Sequence, residues 1–210
     1  MTLQFYDLDL LEEELKQLPH FHSVAFAASI CERMLPMYNK FSQMENWGKP
    51  SLLRKSLNEI WLILHGKYID SSKLYQLIKY LDSENVYPDD QTEYFCHFDY
   101  LFEAQFTVSA LYSTLTALLT LDLKYIIGVV KNARFETIER FITERNNLIE
   151  ADNSQDEKEL IANHPLAKQE LAKQNEDLQR LKEAETLYPE LLEWLRNSSH
   201  NNGKNLIDLC

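Results

Sequence analysis

A chain of 210 residues, 45% of them hydrophobic, with a formal charge of −12, is long enough to bury its own core without disulfides and too apolar to stay disordered. The negative sum excludes general nucleic-acid affinity, which needs Lys and Arg against phosphates, and docking on anionic lipid surfaces. Four glycines, far below the usual share of roughly 7%, argue against the tight turns of a sheet protein. They point to an all-α, single-domain bundle of about seven to eight helices over 1–210, with its core in about 3–197 and a polar, extended tail at 198–210.

The first helix is expected over residues 5–18, with Leu8, Leu11, Leu15 and Leu18 on one stripe and an acidic start that suits the helix dipole. A second, over about 21–44, is apolar on two faces and therefore central. Pro36 inside it predicts a kink or break. Pro50 opens a third helix carrying Leu53, Leu57, Ile60, Trp61 and Leu64, with Gly66 near its end. A fourth starts at Ser71 or Ser72 as N-cap, with Leu74, Leu77, Ile78 and Leu81 inward. Residues 82–91 read as a loop.

Residues 93–121 read as the fifth and central helix, although their Thr and Val content also permits strands. Residues 104–121 within it carry no charge but are too rich in hydroxyls for a membrane span. Asp122 is placed to cap a sixth helix running to 146. The acidic stretch 150–158 reads as a mobile loop. A seventh helix runs from Pro165 to about 185, and Pro189 opens an eighth. No linker or repeat divides the chain, and its acidic start is unlike a secretory signal.

Three widely spaced cysteines, Cys31, Cys96 and Cys210, suit reduced thiols in a cytoplasm. Glycine-rich phosphate loops, nucleophile elbows and Glu-x-x-His pairs are all lacking, so neither a cofactor nor a di-metal centre is implied. Glu93 and His97, four apart, are the weak metal candidates. Two ligands are not a site. Five acids and no Lys or Arg lie between Asp89 and Glu103, a candidate docking run for a basic protein partner.

Glu32 and Arg33 sit in the middle of the two-faced helix, where a charge must be paired. With Tyr38 one or two turns onward, they are the candidate lining of a polar cleft in which Arg33 holds a carboxylate or phosphate. His20 and His22 read as surface or capping groups. His164 reads as a turn residue, and Gln174 lies on an apolar stripe where it needs a partner. Either is a candidate pocket group. Cys31 reads as a small hydrophobe. The apolar stripe of the late helix admits a homodimer.

The run Cys31-Glu32-Arg33-Met34-Leu35-Pro36-Met37-Tyr38, followed by Phe41, resembles the C-E-R-M-x-P-N-Y-x-x-F signature of the YjaG-like proteins, a bacterial family described as a domain of unknown function. Met37 stands where that pattern has Asn. Ile60-Trp61-x-x-Leu64, then Phe102-Glu103-Ala104 with Ala110-Leu111, and then Asn163-His164-Pro165 with Glu170 and Gln174 resemble later segments of the family in order. Glu103 replaces a usual Asp. The resemblance spans about residues 3–205 and implies one helical domain, without an activity, cofactor or catalytic residues. Taken together, the residues suggest a non-enzymatic cytoplasmic interaction protein with an acidic or grooved helical surface. The alternative is a small-molecule-binding or enzymatic helical domain with a polar cleft at Glu32, Arg33 and Tyr38.

Overall fold

The computed structural model describes residues 3–83, 85–88, 100–145, 155–200 and 203–208, and among these no strand occurs. The helices are α1 (Leu8–Lys16), α2 (His20–Glu45), α3 (Pro50–Leu64), α4 (Ser71–Leu81), α5 (Leu101–Thr120) and α6 (Leu123–Lys131). A π-helical segment (Asn132–Glu139) leads into α7 (Arg140–Arg145), and α8 (Gln155–Asn163), α9 (Pro165–Glu183) and α10 (Pro189–His200) follow. No described helix is long and apolar enough to cross a membrane.

The axis of the molecule is α2. From His22 to Leu35 every residue is buried, so the helix is a rod inside a sleeve. It packs most extensively on α5, then on α3 and α10, with α6 and α9 completing the sleeve. Pro36 lies inside α2 without ending it, because packing on all sides offsets the lost hydrogen bond. Truncating a fully enclosed side chain such as Phe26 or Phe41 is expected to cost about 3–5 kcal/mol.

Local chemistry sets the helix ends. Pro50 and Pro165 occupy first-turn positions where a missing N–H is harmless. Asp122 caps α6 by accepting from Lys124 N at 3.0 Å. In α4 the cap is Asp70, accepting from Lys73 N at 3.1 Å, rather than the expected Ser71 or Ser72; a carboxylate is the stronger acceptor at a positive helix end. Gly48 has φ +91°, and a Cβ there would meet Tyr38 Oη at 2.6 Å, so this turn admits only glycine.

The structure corrects several expectations. Tyr100 is left-handed at φ +67°, so α5 starts at Leu101; residues 93–99 of the expected helix lie outside the described residues. The helix expected over 122–146 is helical as far as Arg145, but eight of its residues wind as a π segment. Residues 155–158, expected in a loop, begin α8; acids in a first turn favour a helix start. The tail from 198 is not an extended polar strand. Residues through His200 belong to α10, and Asn205, Leu206 and Ile207 are buried. Asn205 Oδ1 accepts from Ile207 N at 2.9 Å, turning the chain so that two apolar side chains return to the core.

Candidate functional site

Glu32 and Arg33 are adjacent on α2, so they leave the helix about 100° apart and enter different surroundings. Glu32, 1% exposed, faces α3 and α10. Its carboxylate accepts twice from Arg54 Nη1, at 2.9 and 2.7 Å, and from Trp61 Nε1 at 2.9 Å. Arg196 Nε adds a charge at 3.3 Å. One buried anion is thus shared by two half-exposed arginines and an indole, which satisfies its lone pairs and makes it a structural knot. A second such knot holds α3 to α4, where Glu59 accepts from both Lys67 and Lys73. The lysines pull its pKa down against the effect of burial, the largest single influence on it.

Arg33 faces α9. Its Nε and Nη2 each donate to Glu170 at 2.7 Å in a bidentate fork. Nη1 reaches Ser29 O at 3.0 Å, Ser199 Oγ at 2.9 Å and Asp177 Oδ2 at 3.3 Å. Burial opposes the positive charge, but Glu170 and Asp177 outweigh it and hold the guanidinium above its ordinary pKa. Ser29 Oγ donates to Asp177 at 2.9 Å, and Lys173 pairs with the same carboxylate from the cleft side. Burial pulls the Lys173 amine below the usual lysine pKa, Asp177 opposing and Arg33 assisting.

The network continues inward from Glu170. Gln174 Nε2 donates to Glu170 Oε1 at 2.7 Å. Gln174 Oε1 accepts from Arg134 Nε at 2.9 Å and Nη2 at 2.6 Å. Arg134, carried by the π segment, closes the chain on Phe5 O at 2.9 Å and Gln4 O at 3.2 Å. Burial brings Arg134 down to about 10, opposed by the charges of Glu170 and Asp7; its hydrogen-bond partners are all neutral carbonyls. A continuous polar thread therefore runs from the amino-terminal segment at Gln4 and Phe5 through the π segment to α9 and α2.

At the outer end of this thread lies a cleft of about 470 Å³, within the range that holds small ligands. The buried Arg33 and Glu170 form its base. Lys173, Ala172 and Glu176 of α9 line it together with Ser198 of α10 and Lys204 to Leu206 of the closing turn.

Of the candidate site residues named from sequence, only Arg33 lines this cleft, where it meets Glu170 of the family-like motif. Tyr38 is buried elsewhere, donating to Val86 O at 2.9 Å and accepting from Lys49 N at 3.1 Å. It pins the loop at Gly48, and burial pushes its pKa up to about 12. The expected grouping of Glu32, Arg33 and Tyr38 in one cleft is therefore corrected, because the three leave α2 towards different neighbours. Gln174 is buried and satisfied inside the thread. His164 is the N-cap of α9, its Nδ1 accepting from Leu166 N at 3.2 Å.

Glu103 sits in the first turn of α5. Asp89, Asp90, Glu93, His97 and Asp99 lie outside the described residues. Among the described residues no three His, Cys, Asp or Glu side chains converge as metal ligands. His22 is buried rather than at the surface, donating from Nε2 to Ala184 O at 3.1 Å, while His20 donates to Ala117 O at 3.0 Å. Burial lowers the pKa of both, against the hydrogen bonds to Ala117 and Ala184.

Asp177, Lys173 and Arg134 belong to the network but sit in no motif that marks them in the sequence. One available signal was spacing. Glu170, Gln174 and Asp177 fall on one α9 stripe with Ala167 and Leu181, all buried, where unpaired polar groups are not tolerated.

A family model described as "Protein of unknown function (DUF416)" matches residues 10–208. The crystal structure of a DUF416 family protein from Shewanella baltica OS155 superposes with a TM-score of 0.78 at 21% identity, covering 94% of this chain and 97% of that one. No curated protein matches.

Proposed function

From the premise that the chain belongs to the DUF416 family, whose description names no activity, we propose that it is a small-molecule-binding helical domain with its site in the cleft over Arg33 and Glu170. The order of its motifs from Cys31 to Gln174 supports a place among the YjaG-like members. The observation that carries the binding reading is a concavity of about 470 Å³ that meets charged groups at its base, Arg33 being 5% and Glu170 3% exposed. Convergent polar groups in a concave, largely apolar pocket are what small-ligand sites have in common. The buried, unpaired thiol of Cys31 suits a reducing cytoplasm.

Ala172 lines the cleft yet is exposed, so Ala172→Trp fills the space without touching the ion network. A fragment that raises the Tm of the wild type by mass action is expected to have no effect on this variant. Equal stabilisation of both proteins would discard the cleft.

A second reading, an acidic grooved surface for a basic partner, is supported by an open groove of about 630 Å³ beside the π segment, where Glu136, Glu139 and Glu144 outnumber Arg140 and Lys158. Tyr6 and Phe135, stacked at 5.6 Å, form its aromatic wall. Burial, assisted by Glu157 and Glu136, raises the pKa of Glu139. Binding of a Lys-rich test peptide that weakens with salt and is lost in Glu139→Lys would favour this surface.

A further inference from the structure

We propose that the cleft takes a small organic acid, one carboxylate on an apolar body, with the carboxylate set against Lys173 and Arg33. The inference rests on the binding reading above and names its ligand class.

Charge is the first argument. The chain carries −12, but the cleft is lined by three cations, Arg33, Lys173 and Lys204, and two acids, Glu170 and Glu176. Asp177, sealed beneath at 0% exposure, brings the local balance to neutral. On so acidic a molecule a neutral concavity opposes an anion less than a surface of the average charge does, and one added negative charge is tolerated there better than two.

Hydrogen-bonding capacity is the second. The buried acids are spent, and Glu176 at the rim is ion-paired with Lys173 at 3.9 Å and Arg180 at 3.8 Å. Both Glu170 oxygens accept from Arg33, and Oε1 also accepts from Gln174. Asp177 Oδ2 accepts from Ser29 and Arg33, and Oδ1 from Lys173. The donors are not spent. Arg33 Nη2 gives one hydrogen to Glu170, and among the described residues its second has no acceptor. The Lys173 ammonium has three hydrogens. Beyond Asp177 it meets, among the described residues, only the Trp194 ring at 4.3 Å and Glu176 at 3.9 Å. Spare donors beside saturated buried carboxylates favour a ligand group that only accepts, which is a carboxylate.

Ala172 and Leu206 beside these cations give an apolar body somewhere to rest. The full chain is tested with four matched probes, hexanoate, hexanamide, hexylamine and hexyl phosphate, by ligand-observed NMR and thermal shift. Hexanoate is expected to bind about tenfold more tightly than the amide or the amine. Its binding should fall by a similar factor in Lys173→Met and vanish in Ala172→Trp. Lys204→Met, an exposed position that leaves the core intact, is expected to weaken hexanoate alone.

Hexylamine or hexanamide binding as well as hexanoate overturns the carboxylate assignment while the cleft reading stands. Hexyl phosphate binding more tightly also overturns it, in favour of a phosphate ester. If neither these probes nor a neutral fragment set binds in a manner sensitive to Ala172→Trp, the cleft reading itself fails.

Discussion

Arg33→Met tests whether the ion network holds α2 to α9. The variant keeps the length of the side chain and removes its charge, so Glu170 loses two charge-assisted bonds of 2.7 Å and retains only the Gln174 amide. Asp177 keeps Ser29 and Lys173, so the damage concentrates on one buried carboxylate. Breaking a buried pair on one side costs about 3–5 kcal/mol, which for a chain of this size lowers Tm by about 6–20 °C.

Urea unfolding followed by circular dichroism measures this, with the slope m unchanged so that the loss is read as stability. Arg33→Met combined with Glu170→Gln removes the stranded charge while keeping an acceptor for Gln174, and is expected to regain about 2 kcal/mol. A single variant that loses less than about 1 kcal/mol, or a double variant no more stable than the single, would refute the view that buried pairing fastens these helices.

Cys31 is enclosed and its thiol is pushed up to about 12, chiefly by burial. Mass-mapped alkylation at pH 8 should leave it unmodified in the folded protein and label it on unfolding; rapid native labelling would contradict the packing of α2 on Thr114. Gly48→Ala places a methyl against Tyr38 Oη at a positive φ and should cost about 1–3 kcal/mol, read as a shifted urea midpoint. Tyr38→Phe should recover only the part due to the clash. Burial holds His20 and His22 below the ordinary value of 6.5, so the unfolded chain takes up protons first as pH falls. Stability is therefore complete above 6.5 and declines below it, down to the folded-state values. A His20→Gln, His22→Gln double variant should show a flatter decline just below pH 6.5, and an unchanged slope would sink the assignment.

Much of the helical framework can be read from the chain because it follows from local rules. Pro50, Pro165 and Pro189 mark helix starts, Asp122 marks a cap, and the all-round apolar pattern of 21–44 identifies the rod. What cannot be read depends on distance or on backbone choices that leave no compositional trace. The π segment has no glycine or proline to announce it. α8 is an acidic stretch that resembles a loop until its stabilising neighbours in α9 are known. The need for Arg33 to be paired follows from its burial, but its acceptors lie 137 and 144 positions away, and no periodicity reaches that far. Glu170 and Asp177 carry charge on a buried stripe, and by charge alone they pass for the wet side of the helix. One wall of the cleft is made by Lys204 to Leu206, brought back where Leu206 and Ile207, two apolar residues after a polar run, return to the core.

The thread from Phe5 through Arg134, Gln174, Glu170 and Arg33 also fixes alignment along the helix axes. Greasy rods can slide past one another by a turn, about 5.4 Å, and still find oily neighbours. A guanidinium fork has no such freedom: moved one turn along α9, Arg33 would lose the two oxygens it now grips. The thread thus acts as a key that admits a single setting of α2 against α9, the two helices that bring Arg33 and Glu170 to the base of the cleft.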